Sequence, residues 1–570
     1  MTKNQKDLIW NKWLDHFYNK PDDEAIIHIT FDEEPYIWTY RSLIMSALHF
    51  MTLLKNKGVK QGDVCGLVFQ HNIYFYPLYL GASMLGAVTT VLAYKNSRLH
   101  PDKFRAGLEG IAKRSGLDWV LTEQELSEML MPAVGLNGST IKGLIFPLNF
   151  TEEFDDKKIN IDKELEGLQN LWLNVQADDI FLLQHSSGTT GLQKGVSLSH
   201  KAILQHAENY SEAILLGDDK IVSWLPLYHD MGLIAAFTIP LIKGVTTIQI
   251  DPFDWVTEPV MLMQTISQFN ATLAWLPNFS YYVLADKVHR DDVKDLNLSS
   301  LRMLINCSEP VTHEAHEKIY QKYKDVGLRR ECLTACYAMA ETTYAITQTK
   351  PGEQAMEILT DQEKLAKGEV EILHRTPEAK GRVCVSSGMV IKGCQVKIVT
   401  EANEELPDCK VGDIMVSSVS LFNGYKNNPE QTSKVLNDNW FKTGDFGFFY
   451  QNELFVIGRK KDIIIVAGKN IYPEDIEIIV GKIEGVIPGR VMAFGNFEDK
   501  IGTEQIHVIV ESHLPENEHA ELSKTIIKKA AGESFFIHKV VIKPSRWLVK
   551  SSSGKLSRSE NKIRTLQQNT

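Results

Sequence analysis

With 570 residues, 44% of them hydrophobic and 23% charged, the chain is too long for one core, since single cores rarely grow past about 250–300 residues, and too ordinary in composition to be fibrous or disordered. A net charge of −11, spread along the sequence, excludes nucleic acid or an anionic membrane surface as the main partner. Seven scattered cysteines without a Cys-x-x-Cys pair point to reduced thiols in a cytoplasmic protein rather than a disulfide framework or a zinc site.

The opening Met-Thr-Lys-Asn-Gln-Lys-Asp has no apolar stretch behind it, so no signal peptide is expected. Up to about residue 60 the pattern predicts two amphipathic helices around a hairpin with strands over 25–29 and 36–40; Leu43, Ala47 and Leu54 stand at helical spacing in the second helix. Residues 64–70 read as a buried strand. The segment 73–94 is uncharged over about 22 positions, long enough to cross a bilayer. It carries Pro77, Gly81 and Gly86 and then turns β-branched at Val88-Thr89-Thr90-Val91. This predicts a buried helix followed by a buried strand, not an integral membrane span. Residues 119–122 read as a further strand, and the charge-rich 149–166 as an exposed connection.

An apolar strand over 180–184 leads into 186–195, Ser-Ser-Gly-Thr-Thr-Gly-Leu-Gln-Lys-Gly. Its glycines allow tight turns and close backbone approach, while its hydroxyls and Lys194 add donors and charge, the chemistry of a phosphate cradle. It is not the NTPase P-loop, because Gly195 follows Lys194 where Ser or Thr is required. Alone, such a stretch is more often a surface turn.

A helix is expected over 201–215, then a strand over 224–232 (Trp-Leu-Pro-Leu-Tyr-His-Asp-Met-Gly) that runs into a turn holding His229, either functional or merely packed. Strands over 301–305 and 333–337 end in Asn306-Cys307-Ser308-Glu309 and in Ala338-Met339-Ala340-Glu341-Thr342. Polar residues at strand ends are where open α/β sheets place ligands. The alternation predicts doubly wound α/β layers. Past residue 382 the texture becomes all-β, with strands over 383–387, 395–399 and 412–417, then Thr443-Gly444-Asp445 and the cluster Gly458-Arg459-Lys460-Lys461-Asp462. The remainder, about 110 residues, is enough for a small domain. It reads as an α+β module ending in a polar tail with Ser553-Gly554-Lys555.

Taken together and in order, these motifs resemble those of the adenylate-forming enzymes: acyl-CoA synthetases, non-ribosomal adenylation domains, luciferases and fatty acyl-AMP ligases. The resemblance covers nearly the whole chain. The stretches 224–232, Pro277-Asn278-Phe279, 306–311 and 473–477 are most similar to stand-alone fatty acyl-AMP ligases. It implies a large N-terminal domain, 1–458, of two doubly wound α/β subdomains and a small β-barrel, followed by a small mobile α+β C-terminal domain, 459–570. An insertion at about 351–380 would pack between the domains and restrict their rotation, or else be an unrelated surface excursion.

The resemblance also implies roles. A carboxylate is joined to ATP, releasing pyrophosphate, and the acyl group then passes to a thiol. Ser186, Ser187, Gly188, Thr189, Thr190, Gly191 and Lys194 would grip the β- and γ-phosphates. Glu341 would be the carboxylate contact of Mg²⁺, a hard cation that prefers oxygen. Tyr337 would stack on adenine, with Cys307, Ser308 and Glu309 on its other side and Ala338, Met339, Ala340 and Thr342 beside it. Asp445 and Arg459 would hold the ribose, and Lys555 would reach the α-phosphate and substrate carboxylate. Lys461 would be the hinge, Gly468, Lys469 and Asn470 would approach a phosphopantetheine arm, and His229 would gate the acyl or pantetheine path. The family usually has Gly at Ala338 and Gly-Ala at Cys307-Ser308, so these positions put nucleotide affinity in question. No carrier domain with a phosphopantetheine-serine motif is expected after Thr570, so an acyl carrier protein is expected in trans. A medium- or long-chain acyl-CoA ligase, or a degenerate relative without catalysis, are the alternatives.

Overall fold

A computed structural model describes residues 8–95, 101–135, 139–153, 161–185, 193–376, 381–466, 469–498, 501–550 and 556–567. Two large sheets organise the first 459 residues. One has six strands in the order Gly143–Ile145, Trp119–Thr122, Val64–Val68, Val88–Val91, Ile180–His185, Gly195–Ser199, all parallel except the last. The other is built on six parallel strands: Glu24–Ile29, Thr246–Ile250, Lys220–Ser223, Leu273–Pro277, Met303–Cys307 and Leu333–Ala338. These strands are buried on both faces, as parallel sheets flanked by helices must be.

The helix–strand reading of the uncharged segment holds: helix Phe75–Met84 is buried throughout and strand Val88–Val91 comes after it. Gly81 lets this helix press onto Tyr40–Asn56, since a Cβ there would lie 2.5 Å from the Ala47 carbonyl oxygen. Among the described residues no helix is long and apolar enough to cross a membrane.

The antiparallel region joins the second sheet edge-on. Ala345–Gln348 pairs with Leu333–Ala338, and beyond it lie Met389–Val390, Glu453–Arg459, Trp440–Tyr450, Gly412–Ser418 and Cys394–Val399. The described pairings run as an open series, so the expected barrel is present as an extension of the sheet without ring closure. Glu357–Thr360, within the expected insertion, pairs with Ile372–Leu373 and Arg382–Val385 in a separate three-stranded sheet.

The small α+β domain has its own core, built from residues between Ile464 and Ile537. Its sheet of Val486–Glu498, Thr503–Ser512 and Ile537–Pro544 carries helices Pro473–Gly481 and Glu516–Gly532.

Two expectations are corrected. The charge-rich 149–166 is not a plain exposed connection: Ile161–Trp172 is a helix that buries Leu165, Leu168 and Trp172 at three- and four-residue spacing. The strand expected at Trp224 ends at Ser223. Beyond it the chain turns and then enters a π-helical stretch, Met231–Thr238, fully buried.

Candidate functional site

Strand ends from the second sheet, the antiparallel extension and the small domain surround one cavity of about 1930 Å³. Leu333–Ala338 delivers Tyr337 and Ala338 to its wall, and the turn after it delivers Met339, Ala340 and Glu341. Met303–Cys307 ends at Ser308, held at φ +72°, and Glu309, both on the wall. A serine in the left-handed region is strained by about 1 kcal/mol or more, which fits a fixed, close-packed turn. The Glu309 carboxylate accepts from the Phe279 N–H at 2.9 Å, tying this turn to helix Asn278–Asp286.

Two side-chain groupings stand out. In the first, the Tyr337 hydroxyl donates to Asp445 at 2.6 Å, and Arg459 lies 3.5 Å from the other carboxylate oxygen. Asp445 and Arg459 are register partners on neighbouring strands. Burial and the Asp445 charge push the Tyr337 hydroxyl far above its ordinary range, and Asp445 raises the Arg459 guanidinium further. The ring, carboxylate and guanidinium offer a flat apolar face beside two hydroxyl acceptors and a cation.

In the second, the Tyr425 hydroxyl donates to Glu341 at 2.8 Å, and the Lys194 ammonium sits 4.5 Å above the Tyr425 ring. Burial raises the Glu341 carboxyl, opposed by the Tyr425 hydrogen bond. Tyr425 is absent from the residues that sequence reasoning selects; an aromatic residue in a Gly-Tyr turn carries no periodic signal. Among the described residues no group of three or more His, Cys, Asp or Glu could hold a metal ion. A cation here would therefore rest on Glu341 and on oxygens brought by a ligand. That suits Mg²⁺, which commonly takes one or two carboxylates plus substrate phosphates.

His229 lines the cavity with its Nδ1 2.7 Å from Asp230 and 3.4 Å from the Met231 N–H. Lys461 also lines it, its ammonium pKa lowered by burial and by Arg459. Cys307 and Thr342 are placed behind the wall rather than on it: both are fully buried, and the Thr342 hydroxyl donates to backbone oxygens of Tyr344 and Met339. Lys469 and Asn470 pair with Ile464–Val466 in a two-stranded sheet and do not reach the cavity. Ser186, Ser187, Gly188, Thr189, Thr190, Gly191, Gly468 and Lys555 lie outside the described residues. Lys550 and Leu556, which bracket the 551–555 segment and form a β-bridge, both line the cavity.

The small domain is joined to the rest by ion pairs. Arg382, on the strand beside the insertion, is 3.0 Å from Asp475 and stacks on Tyr472 at 4.8 Å. Lys482 pairs with Glu314 at 2.7 Å. Within the small domain Arg558 is clamped by Glu474, Glu477 and Asp462.

The aromatic face beside the Asp445 carboxylate, the buried Glu341 and Lys194 are groups that suit an adenylate-forming enzyme. Residues 14–426 match the family model described as AMP-binding enzyme. The chain belongs to that family. Over 431 residues it is 32% identical to the medium-chain-fatty-acid–[acyl-carrier-protein] ligase JamA of Moorena producens, covering 72% of each chain. Over 346 residues it is 30% identical to the 4-hydroxyphenylalkanoate adenylyltransferase of Mycobacterium tuberculosis, covering 58% of this chain and 55% of that one. Its fold superposes on the fatty acid AMP ligase from Legionella pneumophila with a TM-score of 0.72 at 25% identity, covering 99% and 96% of the two chains. A structure from a study of fatty acyl-adenylate ligases of E. coli and L. pneumophila shares the fold with a TM-score of 0.87 at 22% identity, covering 99% and 98%.

Proposed function

We propose that the chain activates a fatty acid with ATP to an acyl-adenylate, releasing pyrophosphate, and passes the acyl group to the phosphopantetheine thiol of a separate acyl carrier protein. The observation that carries this reading is the assembly, around one cavity, of Tyr337–Asp445–Arg459 with Glu341–Tyr425–Lys194. The likeness to JamA and to the Legionella ligase supports the choice of acid and carrier.

The attack of a weak carboxylate nucleophile on an α-phosphorus needs alignment and charge neutralisation more than covalent chemistry. Tyr337 stacks on adenine while Asp445 accepts from the ribose hydroxyls and Arg459 fixes that carboxylate. Lys194 and the loop before it hold the β- and γ-phosphates, the leaving group. Glu341 would hold Mg²⁺, which would supply positive charge against the phosphates when bound. Lys555 is the residue assigned to the α-phosphate; Lys550 and Leu556, which bracket 551–555, line the cavity. The apolar lining of Trp255, Val256, Phe279 and Val283 suits an acyl chain. The chain divides into 1–458 and 459–570, with the pivot at Lys461. The insertion restrains the swing through the neighbouring Arg382–Asp475 pair.

Cys307 adds no atoms to the cavity wall, which removes one of the departures that favoured a degenerate relative. The test is incubation of the protein, ATP and a panel of carboxylic acids with CoA or with holo-carrier protein, read as pyrophosphate and by mass spectrometry of the adenylate. Accumulating acyl-AMP that is consumed only by carrier is expected. Rapid acyl-CoA formation overturns the carrier reading. Absence of adenylate with every acid, or full activity of Lys555→Ala, overturns the catalytic one.

A further inference from the structure

Cys307 and Cys336 sit side by side on neighbouring parallel strands. The register pairs Leu304 with Leu333, Ile305 with Thr334 and Asn306 with Ala335; Cys307 and Cys336 are the next residue on each strand, one step past the last paired position, and their thiols interact. Neighbouring strands lie about 4.8 Å apart, within the roughly 4.4–6.8 Å of Cα separation that a disulfide bridges. Both cysteines are free and buried, and the Cys336 sulfur is 3.6 Å from the Tyr344 hydroxyl. Only Cys336 of the two borders the cavity, which gives a small oxidant a route to the pair. The residue after each cysteine, Ser308 and Tyr337, is on the cavity wall where adenine is proposed to bind.

We propose that Cys307 and Cys336 form a reversible intramolecular disulfide under peroxide, and that its formation shuts the nucleotide site. One thiolate attacks the peroxide O–O bond, giving a sulfenic acid and one water after protonation. The second sulfur displaces the sulfenic hydroxyl, forming the S–S bond and releasing a second water, so two thiols are oxidised and one peroxide is reduced. A dithiol reverses it by exchange. Hydrogen bonds from Cys336 and Tyr344 outweigh burial at Cys307 and lower its thiol pKa, while burial raises that of Cys336. Drawing the sulfurs together pulls on both strands one residue short of Ser308 and Tyr337. The strained Ser308 turn, at φ +72°, has little room to absorb that pull.

The cross-link stands apart from the proposed function; its consequence rests on the adenine assignment. The full-length protein is treated with hydrogen peroxide, with and without saturating ATP, then analysed by intact mass, non-reducing peptide mapping and ATP–pyrophosphate exchange before and after dithiothreitol. Expected are loss of two hydrogen atoms, a peptide joining Cys307 to Cys336, and exchange lowered about tenfold or more, a change equal to about 1.4 kcal/mol. Dithiothreitol restores it and ATP slows it. Cys336→Ala, compared with its own untreated sample, keeps its activity under peroxide. Failure to form the cross-link overturns the site. A cross-link without loss of exchange, or inactivation that persists in Cys336→Ala, overturns the consequence. ATP that fails to slow a cross-link which does inactivate counts against the adenine assignment instead.

Discussion

Tyr425, in the loop after Gly412–Ser418 whose backbone bridges Val196 of the six-stranded sheet, donates its hydroxyl to Glu341 at 2.8 Å. Burial works against the charged carboxylate there, and this bond, with the Lys194 charge, works for it.

Burial raises the Glu341 carboxyl and the Tyr425 bond opposes it. With Glu341 in its proposed role the anion is the working form, so activity is expected to fall as pH drops through the raised pKa. Tyr425→Phe removes the opposing bond and moves that acidic limb to higher pH by about one unit, the worth of a hydrogen bond to a charged group. Pyrophosphate release measured against pH at saturating ATP checks it; an unmoved limb means that Glu341 does not set the profile.

Asp445 accepts from Tyr337 and faces Arg459. On the proposed ribose assignment, Asp445→Asn should raise the KM for ATP by about tenfold or more, because it weakens those acceptors and removes the charge facing Arg459. Tyr337→Phe, which keeps the ring, should cost less. The comparison is a KM and kcat determination for both variants; equal effects contradict the division of labour.

Arg382 and Asp475 form the pair between the insertion's sheet and the small domain, and burial pushes Asp475 up to about 6. For an acid whose pKa is raised on docking, the favourable contribution is present at low pH and is lost as pH rises through that raised value. Arg382→Met leaves the carboxylate buried and unpaired at pH 8, a loss of about 3–5 kcal/mol. Near pH 5, where Asp475 is protonated, much of it should return. Hydrogen exchange across Pro473–Gly481 reads this directly: protection lost at pH 8 and regained at pH 5 is expected, and a loss that ignores pH would refute the mechanism.

Trp224 and Trp255 stack at 3.6 Å, and Trp255 borders the apolar end of the cavity. Trp255→Ala should lower stability by about 3–5 kcal/mol and extend the accepted acids to bulkier chains. A melting curve and the acid panel together decide; lost stability with an unchanged acid profile would make Trp255 a packing residue only.

The order of the motifs is legible in the sequence because each joins a local pattern to a charge or glycine that local packing does not need. Phe75–Met84 and Val88–Val91 are legible because Gly86, at φ +80°, and the β-branched run after it break one apolar segment into two elements. The helix at Ile161–Trp172 is hidden because acidic residues crowd its outer face around the buried Leu165 and Leu168. Strand order is not legible at all: Glu24–Ile29 lies beside Thr246–Ile250, some two hundred residues on, and no local pattern records such a pairing. Tyr425 and Arg382 escape sequence reasoning for the same reason, since each acquires its role from a partner far along the chain. The inward turn of Cys307 depends on which face of its strand is core, and the strand is buried on both.

Arg459 is the last residue of its strand, and the turn Lys460–Asp462 begins at the next position. The side chain paired with Asp445 is thus also the bolt at which the fixed sheet ends. A small domain turning about Lys461 would load that bolt first. Nucleotide bound to Asp445 would tighten it, and departure of AMP would slacken it. The pivot would then sense product release along two residues of backbone, with no relay of side chains between the two events.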